Sequence, residues 1–489
     1  MPTAATPRPG PIFRLRKRVR RWVEPYPWLY RGLLKLWGLA FGARFFIYAL
    51  TSGRLRHRPD AAALAAFIGR QRLRTFQVEL GAAADVDGLR AALKARGLDP
   101  AEGGWTFYLP PGDALARLCP FLASHYPPGV GLKLLKDMRA PAEARYTPHD
   151  QNPAAGASLL RKLTPSPLAL LRVAEALHRL GLGPKVWDLV HLRSGGTDLS
   201  AYVVAPVDGG PPDAAQYADF MDRLRPVLDD GLVATAHPSV AMSDDFAAPD
   251  GNGNLRVDPA TGKALFVDFQ SFVIPDEGRL LSSLAEVGRA ATHFGAGRFF
   301  RGGGDYLYQA IPGLEPGKRD PEQRWRTVHE LLDGAGVGFE DRPVFDIGCN
   351  TGLMLYQALG AGARWACGWD MPEVAASAAR LLGALGATRT TLTGGAISPD
   401  SDFATAVPAW AGEGGVLFYL AVSDHIGFPE GVAALPWRHM LYEGHADQGV
   451  GDQVERLRQV RWLKDAKLLG HRMAADGDSP PRPLLLLQR

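Results

Sequence analysis

Two groups of residues have types and spacings that could do chemistry. The first is VFDIGCNTG, Val344–Gly352: an apolar run reaches Asp346, and Gly348 and Gly352 then let the backbone turn tightly and approach a ligand. A helix opening near Leu353 would direct its amides at that bend. The G-x-x-x-G spacing is not the G-x-G-x-x-G that a dinucleotide pyrophosphate demands, and Asp346 would repel a pyrophosphate. It suits a ligand bearing an amino group. The next strand, RWACGWD, ends in Asp370, placed to accept two ribose hydroxyls. The second group lies upstream: Lys133 in a short apolar strand, Glu175 in the middle of a helix, and Asn254 and Asp268 on either side of a hairpin turn.

The first group resembles motif I and the following acidic position of class I S-adenosylmethionine-dependent methyltransferases, the form FDIGCN-x-G being characteristic. The resemblance implies that Asp346, Gly348, Asn350 and Gly352 line the methionine side of the cofactor and that Asp370 takes the ribose. It further implies that VLFYLAVSDHIG, Val416–Gly427, brings Asp424 and His425 towards the transferred methyl group, His425 as base or as binding group. For the adenine side GGAISPDSDF offers Asp400 or Asp402, displaced by several residues from the family position. The segment from Asp305 resembles the preamble that covers such active sites, which makes Tyr308, Gln309 and Arg324 candidates for cofactor or substrate contact.

The second group resembles the kinase-like folds. VGLK, Val130–Lys133, matches the strand whose lysine pairs with ATP phosphates, and Glu175 falls where the lysine-orienting acid belongs. NLRVD, a turn and FVDFQ look like the hairpin that brings an Asn (Asn254) and an Asp (Asp268) onto Mg²⁺. Two departures stand out. DFQ replaces D-F-G, as in many small-molecule and lipopolysaccharide kinases, and Pro249 stands where the catalytic acid would, leaving Asp245 and Asp250 as candidate bases. No glycine-rich phosphate loop is evident between Arg74 and Pro110.

These residues need elements to hold them. RTFQVEL, GWTFYLP and VGLKLLK read as short strands, and Pro59–Gly69 as a helix. SPLALLRVAEALHRLG is a helix with Ser166 as cap, Pro167 at its first position and Gly181 at its end. PKVWDLVHLR and LSAYVVAPV read as strands, AAQYADFMDRLRPVLDDG as a helix, and residues 278–335 as mostly helical. From Arg342 onward strands and helices alternate. The expected fold class is α/β: a C-terminal Rossmann-like methyltransferase fold preceded by an α+β protein-kinase-like domain. The expected divisions are a basic aromatic arm (1–58), a kinase-like domain (59–280), a helical cap (281–335) and a methyltransferase domain (336–489).

The net charge of +4 conceals an asymmetry. Residues 1–58 carry thirteen Lys/Arg against Glu24 alone, a net +12, so the remainder stands near −8 (4 − 12). Such an arm seeks an anionic surface. Its apolar stretch, Trp28–Gly53, is broken by Arg31, Lys35 and Arg44, so it lacks the ~18 uncharged residues of a membrane span. It resembles an interfacial anchor, which favours a peripheral membrane surface over nucleic acid as partner. Cys119, Cys349 and Cys367 have no paired spacing and form neither a disulfide framework nor a zinc cluster. The expectation is a cytoplasmic protein, peripheral on the inner membrane face.

Together the two domains are similar in content, in reversed order, to bifunctional enzymes that phosphorylate the terminal sugar of an O-antigen chain and methylate that phosphate. The expected cofactors are S-adenosylmethionine, ATP and Mg²⁺, and the expected substrate is a sugar or lipid-linked glycan. The alternatives are a methyltransferase of a sugar, lipid or small metabolite with a non-catalytic kinase-like scaffold, and an RNA-modifying methyltransferase, whose binding would fall steeply with salt.

Overall fold

A computed structural model describes residues 26, 61–68, 71–83, 85–102, 106–136, 167–195, 197–229, 234–235, 254–268, 272–273, 309–313, 320–444, 450–472 and 482–489. The basic arm, Tyr26 excepted, lies outside them, as do Tyr308, Asp245 and Asp250. The chain divides into two units: residues 1–71, 284–382 and 390–489 form one, and residues 72–283 with 383–389 form the other. Among the described residues no helix is long and apolar enough to cross a membrane.

The division moves the boundaries expected from the sequence. The first helix, α1 (Ala61–Ile68), groups with the C-terminal sheet and not with the kinase-like region. Its Phe67 ring lies 5.1 Å from that of Tyr356, and Gln71 Nε2 donates to the Tyr356 carbonyl at 2.8 Å. An alanine-rich octapeptide announces a helix but carries no label for the domain that covers its apolar face.

In the middle unit the strands are β1 (Arg74–Gln77), β2 (Ala101–Glu102), β3 (Thr106–Leu109), β4 (Gly131–Leu135), β5 (Val186–Ser194) and β6 (Thr197–Val204), with α2 (Val86–Ala95), α3 (Asp113–Leu118), α4 (Phe121–His125) and α5 (Pro167–Arg179) among them. They form one sheet in the order β1-β5-β6-β4-β3-β2, antiparallel throughout except for the parallel pair β1 and β5. Strand alternation splits the side chains between two cores. Leu132, Leu134, Ala201 and Val203 pack on one face with Leu89 and Leu93 of α2. Leu135, Tyr202 and Val204 pack on the other with Leu170, Leu171, Ala174 and Leu177, the apolar stripe of α5. Each fully buried leucine contributes roughly 1.5–3 kcal/mol. Beyond β6 come α6 (Ala214–Asp229) and β7 (Ala234–Thr235). The hairpin β8 (Leu255–Val257) and β9 (Ala264–Phe266) turns on Asp258, whose carboxylate accepts from the Ala260 amide (3.0 Å) and the Thr261 hydroxyl (2.7 Å). A two-residue strand, β10 (Phe272–Val273), pairs with β7.

In the C-terminal unit α7 (Pro321–Gly334) starts on Asp320, whose carboxylate accepts from the amides of Glu322 (2.8 Å) and Gln323 (3.2 Å). Gln309 precedes it in an isolated bridge, so this part of the segment expected to be helical is extended. There follow β11 (Pro343–Ile347), α8 (Leu353–Gly360), β12 (Trp365–Asp370), α9 (Pro372–Ala384), β13 (Thr390–Gly394), β14 (Gly415–Leu420), α10 (Ser423–Ile426), α11 (Glu430–Ala434), β15 (Trp437–Glu443), α12 (Val450–Arg458), β16 (Asp465–Arg472) and β17 (Arg482–Gln488). The sheet order is β13-β12-β11-β14-β15-β17-β16. The first five strands are parallel, and β17 enters antiparallel between β15 and β16. Parallel strands are covered on both faces, which is why β11, β12 and β14 are mostly apolar, Asp346 and the terminal Asp370 being the exceptions.

Candidate functional site

The chain reverses between β11 and α8 through three left-handed residues, Gly348 (φ 78°), Asn350 (φ 50°) and Gly352 (φ 72°). Gly348 and Cys349 both donate their amides to the Trp369 carbonyl, at 2.8 and 3.2 Å, which ties the bend to the end of β12. A Cβ at Gly348 would stand 3.1 Å from Val422, one at Gly352 2.8 Å from Leu382, and one at Gly368 2.9 Å from the Cys349 thiol. Backbone angle favours glycine at 348 and 352, and at all three positions a Cβ would press on neighbouring side chains. Asp370 secures the bend: its Oδ2 accepts from the Asn350 amide and its Oδ1 from the Met371 amide, both at 2.8 Å. Each oxygen keeps a lone pair for a further donor.

Asp346, on β11 just before the bend, is 4% exposed. Among the described residues its carboxylate makes no hydrogen bond and no ion pair. Burial pushes its pKa up to about 7; Arg324 opposes the rise and Asp370 adds to it. A buried, unpaired carboxylate is costly unless something cationic completes it. The donor set therefore fits a ligand with an ammonium at Asp346 and hydroxyls at Asp370.

Other groups gather at the carboxyl edge of the sheet. Arg324 of α7 donates from Nη2 to Glu443 Oε2 (2.9 Å), and Arg482 from Nη1 to Glu443 Oε1 (3.2 Å). Glu443 ends β15 fully buried. The Nε atoms of both arginines are sealed from solvent without an acceptor among the described residues. Gln309 Oε1 accepts from the Thr351 hydroxyl. After β14, Ala421 holds φ at 61°, an unusual angle for a residue with a side chain, and donates its amide to the Glu443 carbonyl (3.1 Å). Asp424 and His425 fall in α10, just past that edge; their side chains lie outside the described residues. Asp402 is exposed and its Oδ1 caps a short 3-10 turn through the Ala404 amide (2.9 Å). Glu443, Arg482 and Thr351 were missed in the sequence. The one signal for Glu443 was an acid ending an apolar strand; Arg482 had none.

In the middle unit the hairpin register sets Asn254 beside the segment carrying Asp268, the Val267 amide donating to the Asn254 carbonyl at 2.8 Å. Lys133 Nζ donates to the Val267 carbonyl and stands 3.9 Å from Asp268 Oδ1. Burial lowers the lysine's pKa and Asp268 opposes that. The pairing of Glu175 with Lys133 expected from the sequence is not formed. Glu175 instead accepts from Lys185 Nζ (2.5 Å) and Arg179 Nε (2.9 Å). The cause is local: Arg179 is one helical turn away, and Lys185 follows the Gly181–Gly183 turn. Among the described residues no group of three or more His, Cys, Asp or Glu side chains could hold a metal ion.

With its parallel strands, its inserted antiparallel strand and the glycine bend between β11 and α8, the C-terminal unit has a Rossmann-like α/β architecture. No family model matches the chain, and no curated protein matches it. Solved structures similar to part of it include EvdMO1 (15% identity, TM-score 0.29, covering 44% of this chain and 48% of that one). The bifunctional kinase–methyltransferase WbdD is another (20% identity, TM-score 0.29, 37% of this chain and 44% of that one). A SAM-dependent methyltransferase from Aquifex aeolicus is matched over 94% of its length by 35% of this chain (11% identity, TM-score 0.26). The match thus spans less than half the length of EvdMO1 and of WbdD.

Proposed function

We propose that the C-terminal unit binds S-adenosylmethionine and transfers its methyl group, and that the middle unit is a kinase-like domain acting with Mg-ATP on a sugar hydroxyl. The observation that carries the first half is the Asp346 carboxylate, buried and without a hydrogen-bond partner among the described residues, beside a bend that turns on Gly348 and Gly352. In this reading Asp346 holds the ammonium of the methionine moiety, the amides of Gly348–Gly352 line it, and Asp370 takes the ribose hydroxyls. When bound, the cofactor supplies a sulfonium methyl whose in-line transfer depends mostly on alignment. His425, beside Asp424, is the base for a protonated acceptor.

The kinase half is supported by topology. Within the sheet, β2 to β6 run in the order β5-β6-β4-β3-β2, with α5 between the lysine strand β4 and β5, the connectivity of a kinase-like amino-terminal lobe. The approach of Lys133 to Asp268 supports a phosphate-and-metal end there, Asn254 and Asp268 being the residues that would hold Mg²⁺. Asp245 or Asp250 is the base. The substrate proposed is a lipid-linked glycan, reached by the basic arm at the inner membrane face. One observation favours the scaffold alternative: Glu175 is taken by Lys185 and Arg179.

The test is calorimetric titration of the full chain with S-adenosylmethionine and with Mg-ATP, alongside Asp346→Ala and Asp268→Ala. The expected result is that each variant loses one ligand and keeps the other. Unchanged S-adenosylmethionine affinity in Asp346→Ala would overturn the first half. A wild-type chain that ignores Mg-ATP would overturn the second.

A further inference from the structure

Tyr108 stands in β3 opposite Lys133 of β4, so both project from the same face of the middle sheet. Its ring packs against the core that holds Val204, Leu255 and Phe266. It leans along β4 away from Lys133: a Cβ built at Gly131 would lie 3.0 Å from the Tyr108 ring and 3.2 Å from its hydroxyl. Gly131 in turn pairs with Val204, the last residue of β6 before the connection that carries Asp208. The hydroxyl is sealed from solvent and has no hydrogen-bond partner among the described residues. Burial, and after it the charge of Asp208, pushes the phenol up to about 12, so it remains a proton donor at any physiological pH.

A buried tyrosine hydroxyl ordinarily finds a partner, and leaving one unsatisfied costs free energy that a phenylalanine would avoid. Here the orphan lies on the face shared with Lys133, displaced from the Lys133–Asp268 end towards the β6 connection. We infer that the Tyr108 hydroxyl hydrogen-bonds the nucleoside moiety, base or ribose, of a nucleotide whose phosphates lie at Lys133 and Asp268. The inference rests on the kinase-like reading of this unit and adds a contact that selects nucleotide over bare polyphosphate. The absence of a side chain at Gly131 gives the ring its place.

Binding of Mg-ATP and of Mg-tripolyphosphate to the full chain tests it, in the wild type, Tyr108→Phe and Lys133→Ala, with thermal unfolding of each. In Tyr108→Phe the expected result is Mg-ATP affinity lower by roughly three- to tenfold, the worth of one hydrogen bond, with tripolyphosphate affinity unchanged and the unfolding midpoint equal or higher. Lys133→Ala should weaken both ligands. Unaltered Mg-ATP affinity in Tyr108→Phe, with binding intact in the wild type, would overturn the inference and leave the kinase-like reading standing. Equal losses for both ligands would overturn it too, since the contact would then lie at the phosphates. A wild type that binds neither ligand would remove the reading and the inference together.

Discussion

Asp370 Oδ2 accepts the backbone amide of Asn350 at 2.8 Å. The acid that we propose reads a ribose thus also sets the shape of the bend between β11 and α8. Asp370→Ala would leave the Asn350 and Met371 amides without this acceptor, at about 1–3 kcal/mol. We expect lower stability and loss of measurable S-adenosylmethionine binding together. Asp370→Asn, which keeps one acceptor oxygen, should recover part of the stability in a urea titration and little of the binding.

Asp346 makes stability pH-dependent in a stated direction. Its folded-state pKa, about 7, lies above the ordinary carboxylate value of about 3.9. From about pH 4 to 7 the unfolded chain gives up this proton and the folded chain retains it. The contribution of this group is therefore complete at low pH and is lost as pH rises to 7. Asp346→Asn should remove the decline, stabilising the ligand-free protein at pH 7.5 by on the order of 2–4 kcal/mol. Denaturant midpoints between pH 4 and 8 measure it.

The same carboxyl must be ionised to hold an ammonium. S-adenosylmethionine affinity should rise with pH up to about 7, by as much as tenfold per unit, and then level off. Asp346→Asn should bind weakly at every pH. A flat profile in the wild type would mean that Asp346 does not meet the ammonium.

Arg324 and Arg482 share the fully buried Glu443. Removing Arg324 leaves Glu443 with Arg482, so the cost stays at or below the roughly 3–5 kcal/mol of a buried pair broken outright. Arg324→Met should destabilise by up to that much. It should also raise the pKa of Asp346, because Arg324 is the group that opposes its rise. Glu443→Gln should also destabilise in a denaturant titration, because it takes the carboxylate from both Arg324 and Arg482.

Gly348→Ala introduces a Cβ at φ 78°, 3.1 Å from Val422. The backbone cost alone is roughly 1–2 kcal/mol. If the same bend lines the proposed cofactor, S-adenosylmethionine affinity should fall more than tenfold, while the proposed Mg-ATP binding of the other unit stays unchanged.

The strands and helices were legible where one local rule decided them. VFDIGCNTG announced a strand, a left-handed bend and a helix because glycine, and after it asparagine, most readily takes the positive φ found at Gly348, Asn350 and Gly352. The hairpin joining Asn254 to Asp268 was legible from PATGK, since a turn with an aspartate at its start and Gly262 at φ 67° closes within a few residues. The partner of Glu175 was not. Arg179, four residues on in the same helix, was a local signal that the resemblance to a kinase lysine–glutamate pair overrode, while the approach of Lys185 depended on how the chain turns after the helix.

The sequence by itself determined which residues bend the chain, which faces are apolar and where an acid precedes a glycine turn, because these follow from backbone angles and periodicity within a dozen residues. Only the tertiary structure decided that α1 joins the C-terminal unit, that Glu443 is clasped by arginines 119 residues before it and 39 after it, and that Asp346 is buried with no hydrogen-bond partner among the described residues. Those outcomes depend on which distant segments exclude water from a given side chain. Burial of that kind is a property of the assembled sheet and not of any stretch of sequence.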